Sequence, residues 1–136
     1  MESYAKILKL HDIRPTIQRI QILKFIIESK VHPSADEIYE ELKSKIHAIS
    51  RATVYNTVNL LSEKGVIKEV ITPSAIRYDY EIVPHHHFFC LKCKKVYDVF
   101  GELPEIQKVD SIDGHLVKKI QYCLVGICKK CLNGGE

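Results

Sequence analysis

Two Cys-x-x-Cys pairs, Cys90/Cys93 and Cys128/Cys131, stand 34 residues apart in this 136-residue chain. They restrict its folding more than any other feature. A chain of this length makes one ordinary domain or two very small ones. Very small units have marginal cores unless a metal, a disulfide or a partner subunit supports them. The opening segment, MESYAKILKLHDIRP, carries charges inside its apolar pattern and no small-residue cleavage site, so it does not read as a secretory signal. In such a chain, matched Cys-x-x-Cys pairs point to a metal rather than to disulfides. A thioredoxin-like redox pair, or plain buried cysteine, would leave the second pair unexplained. Cys90, Cys93, Cys128 and Cys131 together make a tetrathiolate suited to Zn²⁺, which has no redox chemistry and closes small folds. Lys92, Lys94, Lys95, Lys129 and Lys130 flank these cysteines and would offset the negative charge of the centre. Cys123 is left over, as a buried strand residue or an oxidation-prone thiol.

The two halves differ in texture. Residues 1 to about 72 are rich in Ile, Leu, Lys and Glu at helical spacing and hold one glycine, Gly65. From about residue 84 onward come all the cysteines and His85-His86-His87. The pattern predicts helices over Ser3–His11, from Pro15 in a first turn, from the capping box Ser34-Ala35-Asp36-Glu37, and from Ser50 to Lys64 with Gly65 as the stop. The third helix carries Ala35, Ile38, Tyr39, Leu42 and Ile46 as its apolar stripe. Val66–Ile71 and Ala75–Tyr80 read as two strands joined by Thr72-Pro73-Ser74. In the second half, Phe88–Leu91, Val96–Phe100 and Leu116–Leu124 read as strands and Pro104–Ser111 as a helix. The expected fold class is α+β: an N-terminal winged helix-turn-helix domain over residues 1–80, then a small α/β domain over 81–136.

The helix SRATVYNTVNLL has an apolar face of Val54, Val58 and Leu61 and a polar side with Arg51, Tyr55, Asn56 and Asn59. Arg and Asn fit guanine and adenine edges in the major groove, where a recognition helix presents its N-terminal residues. The bland alternative is an ordinary solvated helix face; the helix-turn-helix spacing and following hairpin favour DNA. Arg14, Ser50, Arg51, Thr53, Tyr55 and Asn56 are the candidate DNA contacts. The chain's net charge of only +3 makes one copy a poor DNA binder, so a dimer is expected.

A second metal site draws on the histidine triplet. Alternate side chains of an extended segment share a face, so His85 and His87 can bind one ion while His86 points away. Asp79 and Asp98 are the candidate carboxylates and His32 a further imidazole. Such a mixed nitrogen/oxygen set suits Fe²⁺, Mn²⁺, Ni²⁺ or Zn²⁺. A solvated histidine cluster is the alternative. His11, His47 and His115 stand alone and read as structural or solvated. An enzyme is disfavoured: the chain has no His-Glu-x-x-His, no His-x-Glu ahead of a Cys-x-x-Cys and no glycine-rich phosphate loop. A zinc-ribbon module that binds protein is the other rival, and the helical half argues against it.

HPSADEIYEEL (32–42), SRATVYNTVNLL (50–61), RYDY (77–80), HHHFFCLKC (85–93) and the closing Cys-x-x-Cys at 128–131 together resemble the ferric-uptake-regulator family of metal-dependent repressors, over nearly the whole chain. The resemblance implies a homodimer, with an N-terminal winged-helix DNA-binding domain and a C-terminal dimerisation domain. It implies structural zinc at the four paired cysteines and a regulatory metal, Fe²⁺ or Mn²⁺ with Zn²⁺ or Ni²⁺ possible, at His32, Asp79, His85, His87 and Asp98. A further metal site of some members falls here on Pro84, His86, Glu105 and Ile120, two of which cannot ligate through a side chain. Iron-uptake regulators tend to have Glu where this chain has Asp98, whereas peroxide-response repressors have Asp. The expectation is therefore a cytoplasmic repressor on a palindromic double-stranded DNA operator, sensing peroxide through Fe²⁺ or Mn²⁺. An iron- or zinc-uptake regulator of the same family is the alternative, and a metalloenzyme using the His/Asp set a distant one.

Overall fold

The computed structural model describes residues 2–29, 32–80, 85–100, 110–118 and 122–134. The chain divides into two compact units, Met1–Ile82 and Val83–Glu136. Helices come first and most strands later, so the architecture is mixed α+β. No helix among the described residues is long and apolar enough to cross a membrane.

The first unit consists of α1 (Glu2–Leu10), α2 (Ile17–Glu28), α3 (Ala35–Leu42) and α4 (Arg51–Glu63), followed by an antiparallel hairpin of β1 (Lys68–Ile71) and β2 (Ile76–Asp79). Each helix end has a local chemical cause. α1 stops where Asp12 takes a left-handed φ of 60° and the Ile13 N–H turns back to the Leu8 carbonyl at 2.9 Å. α2 begins after Thr16, whose hydroxyl accepts from the Arg19 N–H at 3.3 Å. Pro15, expected in the first turn, therefore lies just outside the helix, because Thr16 has taken the capping position. α3 carries the expected capping box. The Glu37 N–H donates to Ser34 Oγ at 3.2 Å, and the Ser34 N–H donates to Glu37 Oε1 at 2.9 Å. α3 ends at Leu42, so Ile46 packs on the core from the following turn rather than from the helix.

α4 ends in a complete Schellman motif. Gly65 adopts φ 79°, its N–H donates to the Ser62 carbonyl at 3.1 Å, and the Val66 N–H donates to the Leu61 carbonyl at 2.8 Å. This turn draws Val66 and Ile67 into the core, so β1 starts at Lys68 rather than at Val66 as the apolar run predicts. The hairpin turn is tied by Thr72, whose Oγ1 donates to the Ala75 carbonyl at 2.7 Å. Leu8, Ile22, Leu23, Ile38, Val54, Val58 and Leu61 are fully buried and form one core from all four helices. β2 is joined to the start of α3 by the Tyr78 N–H, which donates to the Pro33 carbonyl at 3.0 Å, and by a bridge between Ser34 and Arg77.

In the second unit, β3 (His86–Cys90) pairs antiparallel with β4 (Val96–Val99) and parallel with β7 (Cys123–Gly126), in the order β4-β3-β7. A small hairpin of β5 (Ser111–Ile112) and β6 (His115–Leu116) turns at Asp113 and Gly114, both with positive φ, as a type I′ turn requires. The short helix α5 (Lys129–Leu132) closes the unit. The single strand expected over Leu116–Leu124 is two: His115–Leu116 ends the small hairpin and Cys123–Gly126 joins the main sheet. Ser111, expected at a helix end, lies in β5; the rest of that expected helix falls outside the described residues. The Asp113-Gly114 pair was the overlooked signal.

Ser34→Ala removes one half of the capping box. It should lower the unfolding free energy by about 1 kcal/mol, read as a lower urea midpoint with an unchanged slope.

Candidate metal centres

The second unit brings the four paired cysteines together. The Sγ atoms of Cys90, Cys93, Cys128 and Cys131 lie within 4.8 Å of one another. Cys90 ends β3, Cys93 sits in the turn before β4, Cys128 precedes α5 and Cys131 lies in it. The first turn closes because the Lys94 N–H donates to the Cys90 carbonyl at 2.9 Å, with Lys94 in the left-handed region at φ 65°. Cys90–Cys131 and Cys93–Cys128 are each 3.8 Å apart, sulfur to sulfur. A tetrahedron with metal–sulfur bonds of about 2.3 Å has edges of about 3.8 Å. The donor set therefore fits a soft divalent ion such as Zn²⁺.

The protons on these sulfurs show why an ion belongs there. Burial pushes the Cys90 thiol up, yet the Cys93, Cys128 and Lys92 backbone groups and the Cys93 side chain together bring it down to about 6. Two of these bonds, from the Cys93 and Cys128 N–H groups to Cys90 Sγ, are 3.4 Å long. Cys128 is lowered chiefly by the hydroxyl of Tyr97. Cys131, by contrast, is pushed up to about 12, first by burial and then by its sulfur neighbours. Side by side, four thiols cannot all ionise without a cation; a bound dication removes that conflict.

Each unit also pairs histidine with carboxylate. In the first, His32 and Asp79 are both buried, with His32 Nδ1 3.6 Å from Asp79 Oδ1. His32 adopts φ 51°, a left-handed conformation uncommon outside glycine. Arg77 holds it there: its guanidinium donates to the His32 carbonyl at 3.1 Å and to Glu37 Oε1 at 2.9 Å. In the second unit, Asp98 Oδ1 lies 3.0 Å from His85 Nε2 and 3.7 Å from His87 Nε2. The two imidazoles meet edge to face at 4.6 Å. Register explains the gathering, because Asp98 stands directly opposite His87 across β3 and β4. His86 faces the other way, toward Tyr122. Pro84, Glu105 and Ile120 lie outside the described residues.

The candidate DNA contacts occupy the start of α4. Ser50 caps the helix, accepting from the Thr53 N–H at 3.1 Å. Arg51 donates to Asp36 Oδ1 at 2.8 Å and stacks 4.6 Å over the Tyr39 ring. The Tyr55 hydroxyl donates to the same Asp36 oxygen at 3.1 Å, and this bond raises its pKa. Thr53 and Asn56 line a cleft of about 410 Å³ with Thr16, Gln18 and Arg19. Arg14 is exposed, and its carbonyl accepts from Arg19. Sequence reasoning missed Asp36, Arg77 and Tyr97, which act through the residues it did select. Cys123 is half-buried in β7, and burial raises its thiol. His11 Nδ1 lies 2.9 Å from the Ile7 carbonyl, while His47 and His115 are exposed.

A helical unit with a terminal hairpin, followed by a sheet unit with a cysteine cluster and a histidine–carboxylate group, defines a protein built to bind metal. The pattern of the ferric uptake regulator family matches residues 11–122, and the chain belongs to that family. It is 34% identical over 140 residues to a peroxide-responsive repressor, PerR, of Staphylococcus epidermidis, covering 99% of this chain and 91% of that one. Among solved structures, it is similar to PerR from Streptococcus pyogenes, described for peroxide sensing and gene regulation (30% identity, TM-score 0.54, 96% of this chain and 91% of that one). A zinc-bound manganese uptake regulator is also similar (26% identity, TM-score 0.68, 92% of this chain and 98% of that one).

Cys93→Ser should reduce the tightly held metal from one ion per chain to near zero by elemental analysis. The cooperative unfolding of the second unit should go with it, while the helical far-ultraviolet signal of the first unit persists. A variant that keeps a full equivalent of metal would show that Cys93 is no ligand.

Proposed function

We propose that this protein is a metal-dependent transcriptional repressor that senses peroxide, acting in the cytoplasm as a homodimer on a palindromic double-stranded DNA operator. The observation that carries the peroxide reading is Asp98, a short carboxylate set 3.0 Å and 3.7 Å from His85 and His87, at the position where the family's iron-uptake regulators tend to have Glu. The name of the S. epidermidis relative supports the same reading.

In this reading, residues 1–80 are a winged-helix DNA-binding domain and 81–136 a dimerisation domain. Ser50 fixes the start of α4, which presents Arg51, Thr53, Tyr55 and Asn56 to the major groove, with Arg14 against the backbone. Two copies are needed because each contributes little positive charge: affinity follows the number of phosphates neutralised. A two-fold dimer also matches two half-sites about one helical turn apart. Cys90, Cys93, Cys128 and Cys131 hold a structural Zn²⁺ that closes the second unit.

The regulatory ion, Fe²⁺ or Mn²⁺, is held by His32 and Asp79 together with His85, His87 and Asp98. His85, His87 and Asp98 are two imidazoles and a carboxylate, a set that can hold a ferrous ion with open positions, and His32 and Asp79 would fill those positions from the other unit. Sharing one ion fixes the angle between the units. To take a population from mostly inactive to mostly active, the ion must favour the active arrangement by about 5 kcal/mol. A bound ferrous ion would supply the electron that reduces hydrogen peroxide next to its own ligands. By the family resemblance, His32 or His85 is the ligand that would be oxidised, and a ligand lost from either unit would release the link and then the DNA. A second reading, a metal-uptake regulator, uses the same geometry and is supported by the likeness to the manganese uptake regulator.

Operator binding, measured on a palindromic fragment selected from random-sequence DNA, separates the two. The Fe²⁺ form should release DNA after hydrogen peroxide and the Mn²⁺ form should stay bound. Both forms staying bound would put the uptake regulator first. His85→Ala should abolish metal-dependent DNA binding, by at least about 100-fold for a first-sphere ligand, while zinc content remains one per chain.

A further inference from the structure

Tyr97 brings a polar hydroxyl to the sulfurs on a ring that packs against them. It lies on β4 directly opposite Phe88 of β3, and both pack against the cysteine cluster. Its hydroxyl donates to Cys128 Sγ at 3.3 Å and stands 3.9 Å from Cys93 Sγ. Strand alternation puts its neighbour Asp98 on the other face, with His85 and His87. One short strand therefore serves both centres. Cys90 is fully buried and receives two backbone N–H groups. Cys128 receives the phenol, and Cys93 is the half-buried sulfur beside it.

We propose that Tyr97 is a positioning residue of the tetrathiolate centre, whose hydroxyl draws electron density from Cys128 Sγ and keeps the zinc thiolates unreactive toward peroxide. The inference rests on the zinc reading of the four cysteines and is independent of which ion the histidines hold. The reaction it suppresses is nucleophilic. A thiolate sulfur attacks one oxygen of H₂O₂; an S–O bond forms, the O–O bond breaks, and hydroxide leaves. The sulfur loses the two electrons that the peroxide gains, giving a sulfenic acid. A neighbouring thiolate then attacks that sulfur, forming an S–S bond and displacing hydroxide, and the ion is lost with two of its ligands. A hydrogen bond to the sulfur lowers the energy of the attacking lone pair, so it slows the first step. If the histidine–carboxylate group senses peroxide, this separation also lets it respond before the staple does.

The test is Tyr97→Phe in the full chain, which keeps the ring against Phe88 and removes only the hydroxyl. Elemental analysis of the unaltered protein comes first: without one zinc per chain, the zinc reading itself has failed. With zinc present, release during hydrogen peroxide treatment is followed with a chromogenic zinc chelator. Tyr97→Phe should lose zinc about tenfold faster, the lower end of outer-sphere effects at metal sites. In the Co²⁺-substituted protein the sulfur-to-cobalt charge-transfer band should move to longer wavelength, which a lost packing contact alone would not cause. Equal release rates overturn the proposal, as does faster release with an unmoved band. If the Phe variant fails to fold, 3-fluorotyrosine installed at position 97 keeps the shape and makes a stronger donor. Zinc release should then be slower than in the unaltered protein, and an unchanged rate overturns the proposal.

Discussion

Four sulfur atoms within 4.8 Å of one another are the constraint on which the second unit depends. As free thiols they are in conflict, with Cys90 near 6 and Cys131 near 12. With a dication they become one rigid vertex joining the end of β3, the turn before β4, the exit from β7 and α5. Apart from Phe89 and Val96, the described buried apolar residues of this unit are the cysteines themselves. The vertex therefore does what a hydrophobic core does in a larger domain. It also sets β3, and β3 begins with the histidines. Cys90 is only three residues beyond His87, so fixing the sulfur fixes the imidazole.

Register carries that order across the sheet. His87 pairs with Asp98 and Phe88 with Tyr97. Side chains alternate, so Asp98 and Tyr97 serve opposite faces: one gathers imidazoles, the other caps a thiolate. A slip of one residue would exchange them. The turn between Cys90 and Cys93 prevents the slip, because the Cys90 N–H donates to the Lys95 carbonyl at 3.0 Å and Lys94 takes the left-handed position. The centre that holds the fold and the group read as the sensor are thus two consequences of one hairpin register.

Much of this was legible in the sequence, for identifiable reasons. The Ser34–Glu37 capping box, the Gly65 stop and the tetrathiolate are local or spacing-coded features, and the structure has each of them. The alternation of His85 and His87 followed from strand period alone. What escaped depends on neighbours distant in sequence. Pro15 was displaced from α2 because Thr16 could reach the Arg19 N–H. β1 lost Val66 and Ile67 to the Schellman turn and the core. Tyr97 read as one more strand aromatic; only pairing with Phe88 turns it toward sulfur. Arg77 read as part of a hairpin, yet it crosses to the His32 carbonyl, 45 residues away. The left-handed backbone of His32 has no signature in a His-Pro dipeptide, since the residue before proline is ordinarily extended.

The weak positive charge of the chain acquires a more specific sense from Asp36. Arg51 and Tyr55, the two largest side chains of α4 proposed to meet DNA, both bind one exposed carboxylate oxygen of Asp36. An exposed ion pair of this kind is worth under about 1 kcal/mol, so a phosphate displaces Asp36 easily. Under the proposed contacts, each chain would exchange an internal anion for an external one. In that reading the exchange lowers the gain of a single copy on any DNA by a small amount. Under the proposed function, affinity would then rest on the contacts that two copies make together. In a protein of net charge +3, the proposed switch would therefore act through geometry rather than through bulk electrostatics.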